Sequence, residues 1–98
     1  KIVLNYKNGL KEGYVVSYLE KVEGIIDSIK LYENNEDISL RSIEDQKMIL
    51  KEIFNYMKSG VVFHPRCYIA KCELLGYKGS HSNLMDEPEE IIKNILSL

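Results

Sequence analysis

The stretch 42–60 constrains this chain more than any other, because it carries a start signal, a periodic apolar face and a stop signal in the order a helix needs. Ser42 followed by Asp45 forms a capping-box pattern, with Asp in place of the usual Glu or Gln, and Glu44 and Asp45 put negative charge at the positive end of the helix dipole. Ile43, Ile49, Leu50, Ile53, Phe54 and Met57 then form a broad apolar face, and Ser59-Gly60 supplies the stop. In a chain of 98 residues such a helix leaves room for one core and no second independent domain, so 1–98 is expected to be one compact domain.

Three further segments read as helices. Across 14–32, apolar residues fall at Val15, Tyr18, Leu19, Val22, Ile25, Ile26 and Ile29, the stripe of an amphipathic helix that Gly24 weakens by about 1 kcal/mol. The run 33–37 has no apolar side chain and is expected to be a solvated loop. Pro65 fits the first position of a helix with Tyr68, Ile69, Cys72 and Leu75 on one face and Gly76 just past its end. The polar, turn-rich 76–83 follows as a loop, and Pro88 with Glu87, Glu89 and Glu90 opens a last helix carrying Ile91, Ile92, Ile95 and Leu96. Residues 2–6 read as a strand closed by Lys7-Asn8-Gly9, and 61–63 as either its pairing partner or an extended connector. The expected fold is mainly α: a four-helix single domain with at most a minor two-stranded β element.

Composition narrows the function classes. The hydrophobic fraction of 45% and charged fraction of 29% belong to a folding chain, whose core must use several of seven tyrosines because there is no Trp. A net charge of −2 has the wrong sign for a protein that neutralises phosphates, so no nucleic-acid partner is expected. No apolar run approaches the roughly 20 residues of a membrane span, and Lys1-Ile2-Val3-Leu4 is too short for a signal-peptide core, which makes a cytoplasmic chain with no membrane partner the expectation. The missing initiator Met suggests a trimmed or partial chain, which leaves room for a longer parent protein. Two cysteines are too few for a disulfide-stapled scaffold.

Both histidines and both cysteines fall in the order His64, Cys67, Cys72, His81. These are zinc-ligand types, but the spacing matches no standard finger, and residues five apart on a helix are rotated by about 140°. The same helix sets the two cysteine Cα atoms roughly 8.7 Å apart, beyond disulfide reach. Cys67 in a first helical turn beside His64 and Arg66 is placed for a lowered thiol pKa, so a small thiol- or metal-dependent enzyme centred on His64 and Cys67 is the alternative reading. A nucleophile also needs a base, an orienting group and an oxyanion site, and only His64 is offered. His64, His81 and Lys78 form a weaker acid–base candidate. No cofactor or metal is expected.

Lys47, Lys51 and Lys58 with Asn55 lie along the polar side of the 42–60 helix, a stripe of the kind that meets phosphates and a third reading as a helical regulator on nucleic acid, although a solvated face is the commoner reason. Acid outweighs base: Glu44, Asp45, Glu89 and Glu90 complement helix N-termini, but Glu33, Glu36 and Asp37 have no such role. Together with Asp86 and Glu87, these would steer a basic protein partner, with Tyr14, Tyr32 and Tyr77 as aromatic anchors. A small acidic chain without catalytic motifs resembles, in length and character, the bacterial immunity proteins that neutralise nuclease toxins, including those of contact-dependent inhibition systems. The resemblance implies a non-enzymatic protein that binds and occludes a basic toxin domain, and it carries no residue roles.

Overall fold

The computed structural model describes residues 2–3, 6–7 and 10–97, with side chains over 12–97. Three short strands come first, β1 (Ile2–Val3), β2 (Tyr6–Lys7) and β3 (Leu10–Lys11), then the longer β4 (Gly13–Tyr18) and β5 (Ile25–Glu33) and the short β6 (Glu36–Asp37). Helix α1 (Ile43–Lys58) leads into β7 (Val62–Phe63), a 3-10 turn (Pro65–Cys67), and helices α2 (Ile69–Leu74), α3 (His81–Asp86) and α4 (Pro88–Leu96). One sheet runs in the order β1-β4-β5-β6, with β7 also on β5, while β2 and β3 pair separately. All pairings are antiparallel except β7 with β5.

The mainly α expectation is thus corrected to a mixed fold of helices on a sheet. The helix expected over 14–32 is a hairpin, for a reason visible in its register. Ser17 lies opposite Ser28 but Tyr18 opposite Ile26, so Asp27 is an extra residue bulged out of β5. The bulge shifts the inward side chains from every second residue to Ile26, Ile29 and Leu31, all buried. With Ile25 and Val22 alongside, this spacing imitates a helical stripe. The β-branched Val15, Val16, Ile25, Ile26 and Ile29 suit strands, and Gly24 supplies a φ of +81° in the turn between them.

The loop expected over 33–37 is a tight hairpin. Glu33 pairs with Glu36 across Asn34 and Asn35, whose φ values of 49° and 68° give the two left-handed residues of a type I′ turn. Expected strand 2–6 corresponds to β1 and β2, with residues 4–5, and the Asn8-Gly9 of its turn, outside the described residues. Val62–Phe63 pairs with β5, not with that segment. The helix expected from Pro65 is a 3-10 turn and then α2, stopped by Gly76 at φ +114°. Within the expected loop 76–83, His81 already begins α3, capped by the Ser80 hydroxyl.

Helix α1 behaves as its signals dictate. The Ser42 hydroxyl accepts from the Asp45 N–H at 3.1 Å. At the other end the Gly60 N–H donates to Met57 O at 3.0 Å and the Val61 N–H to Tyr56 O at 3.1 Å, a Schellman stop that turns the chain back along the sheet. The buried Ile49, Leu50 and Ile53 of α1 meet Ile26, Ile29 and Leu31 of β5, with Leu84, Ile92 and Ile95 closing the core from α3 and α4. Each such side chain contributes about 1.5–3 kcal/mol.

Arg41 ties the hairpin to α1. Its Nε donates to Asp45 Oδ2 at 2.9 Å and its Nη1 to Glu33 Oε2 at 3.4 Å. The Arg41 hydrogen bond, with further help from Ser42, holds the Asp45 carboxyl below its ordinary pKa despite burial. Burial also works to raise Asp37, but the Ser39 hydroxyl and amide and the charge of Lys30 outweigh it and leave that carboxyl lowered.

Leu50→Ala should lower the unfolding free energy by about 2–5 kcal/mol in urea titration. Leu40→Ala, at a side chain 84% exposed, should change it by no more than about 0.5 kcal/mol. Similar costs at the two sites would contradict this core. Because Asp45 and Asp37 have lowered folded pKa values, the unfolded chain takes up their protons first as pH falls through about 4, and their contribution is lost progressively as pH falls further through the folded values. The urea midpoint of wild type should therefore drop more than that of Asp45→Asn between about pH 5 and pH 2. Parallel pH profiles would sink this assignment.

Candidate partner-binding groove

Where α1 ends, the Schellman stop brings β7 back beside it, and α3 and α4 meet opposite. Pro88 creates that elbow: it opens α4, and Glu87, with φ −134° and ψ 55°, ends α3 and precedes α4 in a non-helical conformation, as a residue before proline favours. Between elbow and strand lies an open groove of about 880 Å³. Its apolar surface comes from Phe54 and Met57 of α1, Val62 and Phe63 of β7, Tyr68 and Met85. Val62 is 57% and Met85 44% exposed, so two large apolar side chains of one groove are open to solvent.

The rim is charged unevenly. Asp86, Glu87, Glu89 and Glu90 stand on the elbow side against Lys58 and Lys93. Among the described residues none of these four carboxylates is in an ion pair, whereas Lys58 Nζ sits 5.0 Å from the centroid of the Phe54 ring. Carboxylates at the first turn of α4 also favour its N-terminus.

The residues expected to bind a partner do not converge. Asp86 and Glu87 line the groove at the C-terminal end of α1. Glu33, Glu36, Asp37 and Tyr32 gather on the β5–β6 hairpin, linked through Arg41 to the N-terminal end of α1, and a helix of 16 residues is about 24 Å long. Glu33 is ion-paired with Arg41 and Asp37 accepts hydrogen bonds from Ser39, so Glu36 is the exposed carboxylate of that group with neither an ion pair nor a side-chain hydrogen bond among the described residues. Tyr14 turns toward α1, its hydroxyl donating to Met48 O at 3.4 Å, and burial followed by the charge of Glu52 pushes its pKa up. The Tyr77 hydroxyl donates to Ser80 O at 2.6 Å in the α2–α3 turn. Val62, Met85 and Phe54 were not singled out as contact residues by sequence, since only tertiary packing decides which apolar side chains stay exposed.

The His and Cys set is dispersed. Cys67 and Cys72 are free and buried. The expected lowering of the Cys67 thiol pKa is overturned: burial outweighs the nearby Lys71 and pushes Cys67 up to about 11 and Cys72 to about 12. The Arg66 N–H donates to His64 Nδ1 at 3.2 Å, and Arg66 pairs with the bulged Asp27. His81 Nε2 lies 3.0 Å from Glu73 Oε2, in a different local cluster from His64. Among the described residues no three His, Cys, Asp or Glu side chains are placed to hold a metal ion. Lys47, Lys51, Asn55 and Lys58 do come together, with Lys93, along a second shallow groove between α1 and α4. No helix among the described residues is long and apolar enough to cross a membrane.

Iodoacetamide should label neither thiol of the folded protein at about pH 8 faster than the protein unfolds, and both should react freely in urea. Rapid native labelling of Cys67 would contradict a buried thiol with a raised pKa. Searches of family models, of curated proteins and of solved structures find no match to this chain.

Proposed function

We propose that this chain is a non-enzymatic protein-binding module that occludes a basic protein partner, in the manner of a toxin-neutralising immunity protein acting on a nuclease-type toxin. The observation that carries the reading is the groove rim, where Asp86, Glu87, Glu89 and Glu90 stand exposed and, among the described residues, without ion pairs, beside the exposed Val62 and Met85. Uncompensated charge of one sign at a rim steers an oppositely charged partner, while an apolar centre supplies the contact that holds it. Against the competing thiol enzyme stand the burial of Cys67 and the upward push that burial gives its thiol, to about 11, both of which favour the protonated form.

The reading shifts weight from the hairpin to the groove. Reversing Asp86 and Glu87 together to Lys should slow association with basic nuclease domains by about tenfold at low salt, with the difference shrinking as salt rises. Glu36→Lys, on the hairpin, should slow it far less. Asp37 is left in place in this comparison because its bonds to Ser39 hold the backbone of β5 and would be lost with it. Stopped-flow association rates across a panel of such domains, with melting curves to show that each variant folds, decide the matter. Rates indifferent to the groove charges, or no binding by any basic nuclease domain, would end this reading.

A further inference from the structure

One wall of the groove is β7, which among the described residues pairs with β5 alone and whose Val62 is exposed while Phe63 is largely buried. In β7, Val62 lies opposite Ile25 and Phe63 opposite Ile26 in parallel register, and the His64 N–H donates to Ile26 O at 2.8 Å. Residues facing a neighbouring strand alternate along a ladder, so 62 and 64 turn their backbone groups to β5 and Phe63 turns its N–H and C=O the other way. Side chains of adjacent strand residues stand on opposite faces, yet Val62 and Phe63 both line the groove. The groove therefore runs along the outer edge of β7 itself.

That edge is short at both ends. The Val61 N–H is taken by Tyr56 O, and Pro65 has no N–H to offer. Phe63 is left as the residue able to exchange both backbone hydrogen bonds with an added antiparallel strand. Across the groove stand Met85, Asp86 and Glu87.

The geometry points to an extended, basic segment of the partner as the occupant, lying along β7 and pairing its backbone with Phe63. Alternate side chains of such a segment separate to two faces, apolar ones toward Val62 and Met85 and cationic ones toward Asp86 and Glu87. Four rim carboxylates against two ammonium groups fit a cationic segment and repel an acidic one. This inference rests on the reading that the partner is basic, and adds where it binds and in what conformation.

Two probes of equal charge test it: a short acetylated, amidated peptide of alternating Lys and Val, and the same peptide N-methylated at every residue so that neither edge can donate. Calorimetry should show the first peptide binding, a loss of at least about tenfold on N-methylation, and a similar loss when Asp86 and Glu87 are both changed to Lys, about 1.4 kcal/mol in each case. Equal affinity of the two peptides, both still dependent on Asp86 and Glu87, would overturn strand pairing and leave the basic-partner reading standing. Binding that ignores that reversal but falls with Glu36→Lys would move the site to the hairpin. If neither peptide binds while a basic nuclease domain does, this inference alone fails; if neither peptide nor any such domain binds, both fail.

Discussion

Everything in this molecule depends on the contact between the inner face of β5 and α1. Ile26, Ile29 and Leu31 from the strand meet Ile49, Leu50 and Ile53 from the helix, and the strand is hydrogen-bonded along both edges. On one side runs β4; on the other, β6 joins at one end and β7 at the opposite end. Because β6 and β7 flank α1 in sequence, placing α1 on β5 also places both of them. The helix leaves the hairpin through Arg41 and Ser42 and returns to the sheet through the Schellman stop at Gly60.

That arrangement makes the groove a consequence of the core. β7 is held by β5, its one strand partner among the described residues, and α3 and α4 are anchored by Leu84, Ile92 and Ile95. Pro88 breaks what would otherwise be one longer helix, and the break presents Asp86 and Glu87 at the elbow. Acidic residues at the start of α4 thus serve two ends at once, complementing the helix dipole and charging the rim.

Signals that act within one helical turn were legible in the sequence. Ser42 with Asp45, Ser59-Gly60 and Pro88 mark the ends of α1 and the start of α4 where the structure has them. The β-hairpin was not legible because the Asp27 bulge gave its buried residues a spacing close to helical, and because Asn34-Asn35 stands where a hairpin more often has Asn-Gly. The same limit applies to the site. Asp86 and Glu87 stand out by charge, but the open edge of β7 exists only once β5 has chosen its neighbours. Cys67 shows the local rule failing outright: the first-turn position expected from the sequence favours a thiolate, but the residue ends a 3-10 turn and its burial pushes the pKa up.

The central claim is that the β7 edge and its acidic rim form a place for a basic extended segment. Residue-resolved amide hydrogen exchange with and without the Lys/Val peptide tests it most directly, since the Phe63 N–H points away from β5 and starts unprotected by the sheet. The account predicts that Phe63 becomes protected on binding while amides of the β5–β6 hairpin are unchanged. Protection confined to the hairpin, with Phe63 exchanging as before, would contradict it.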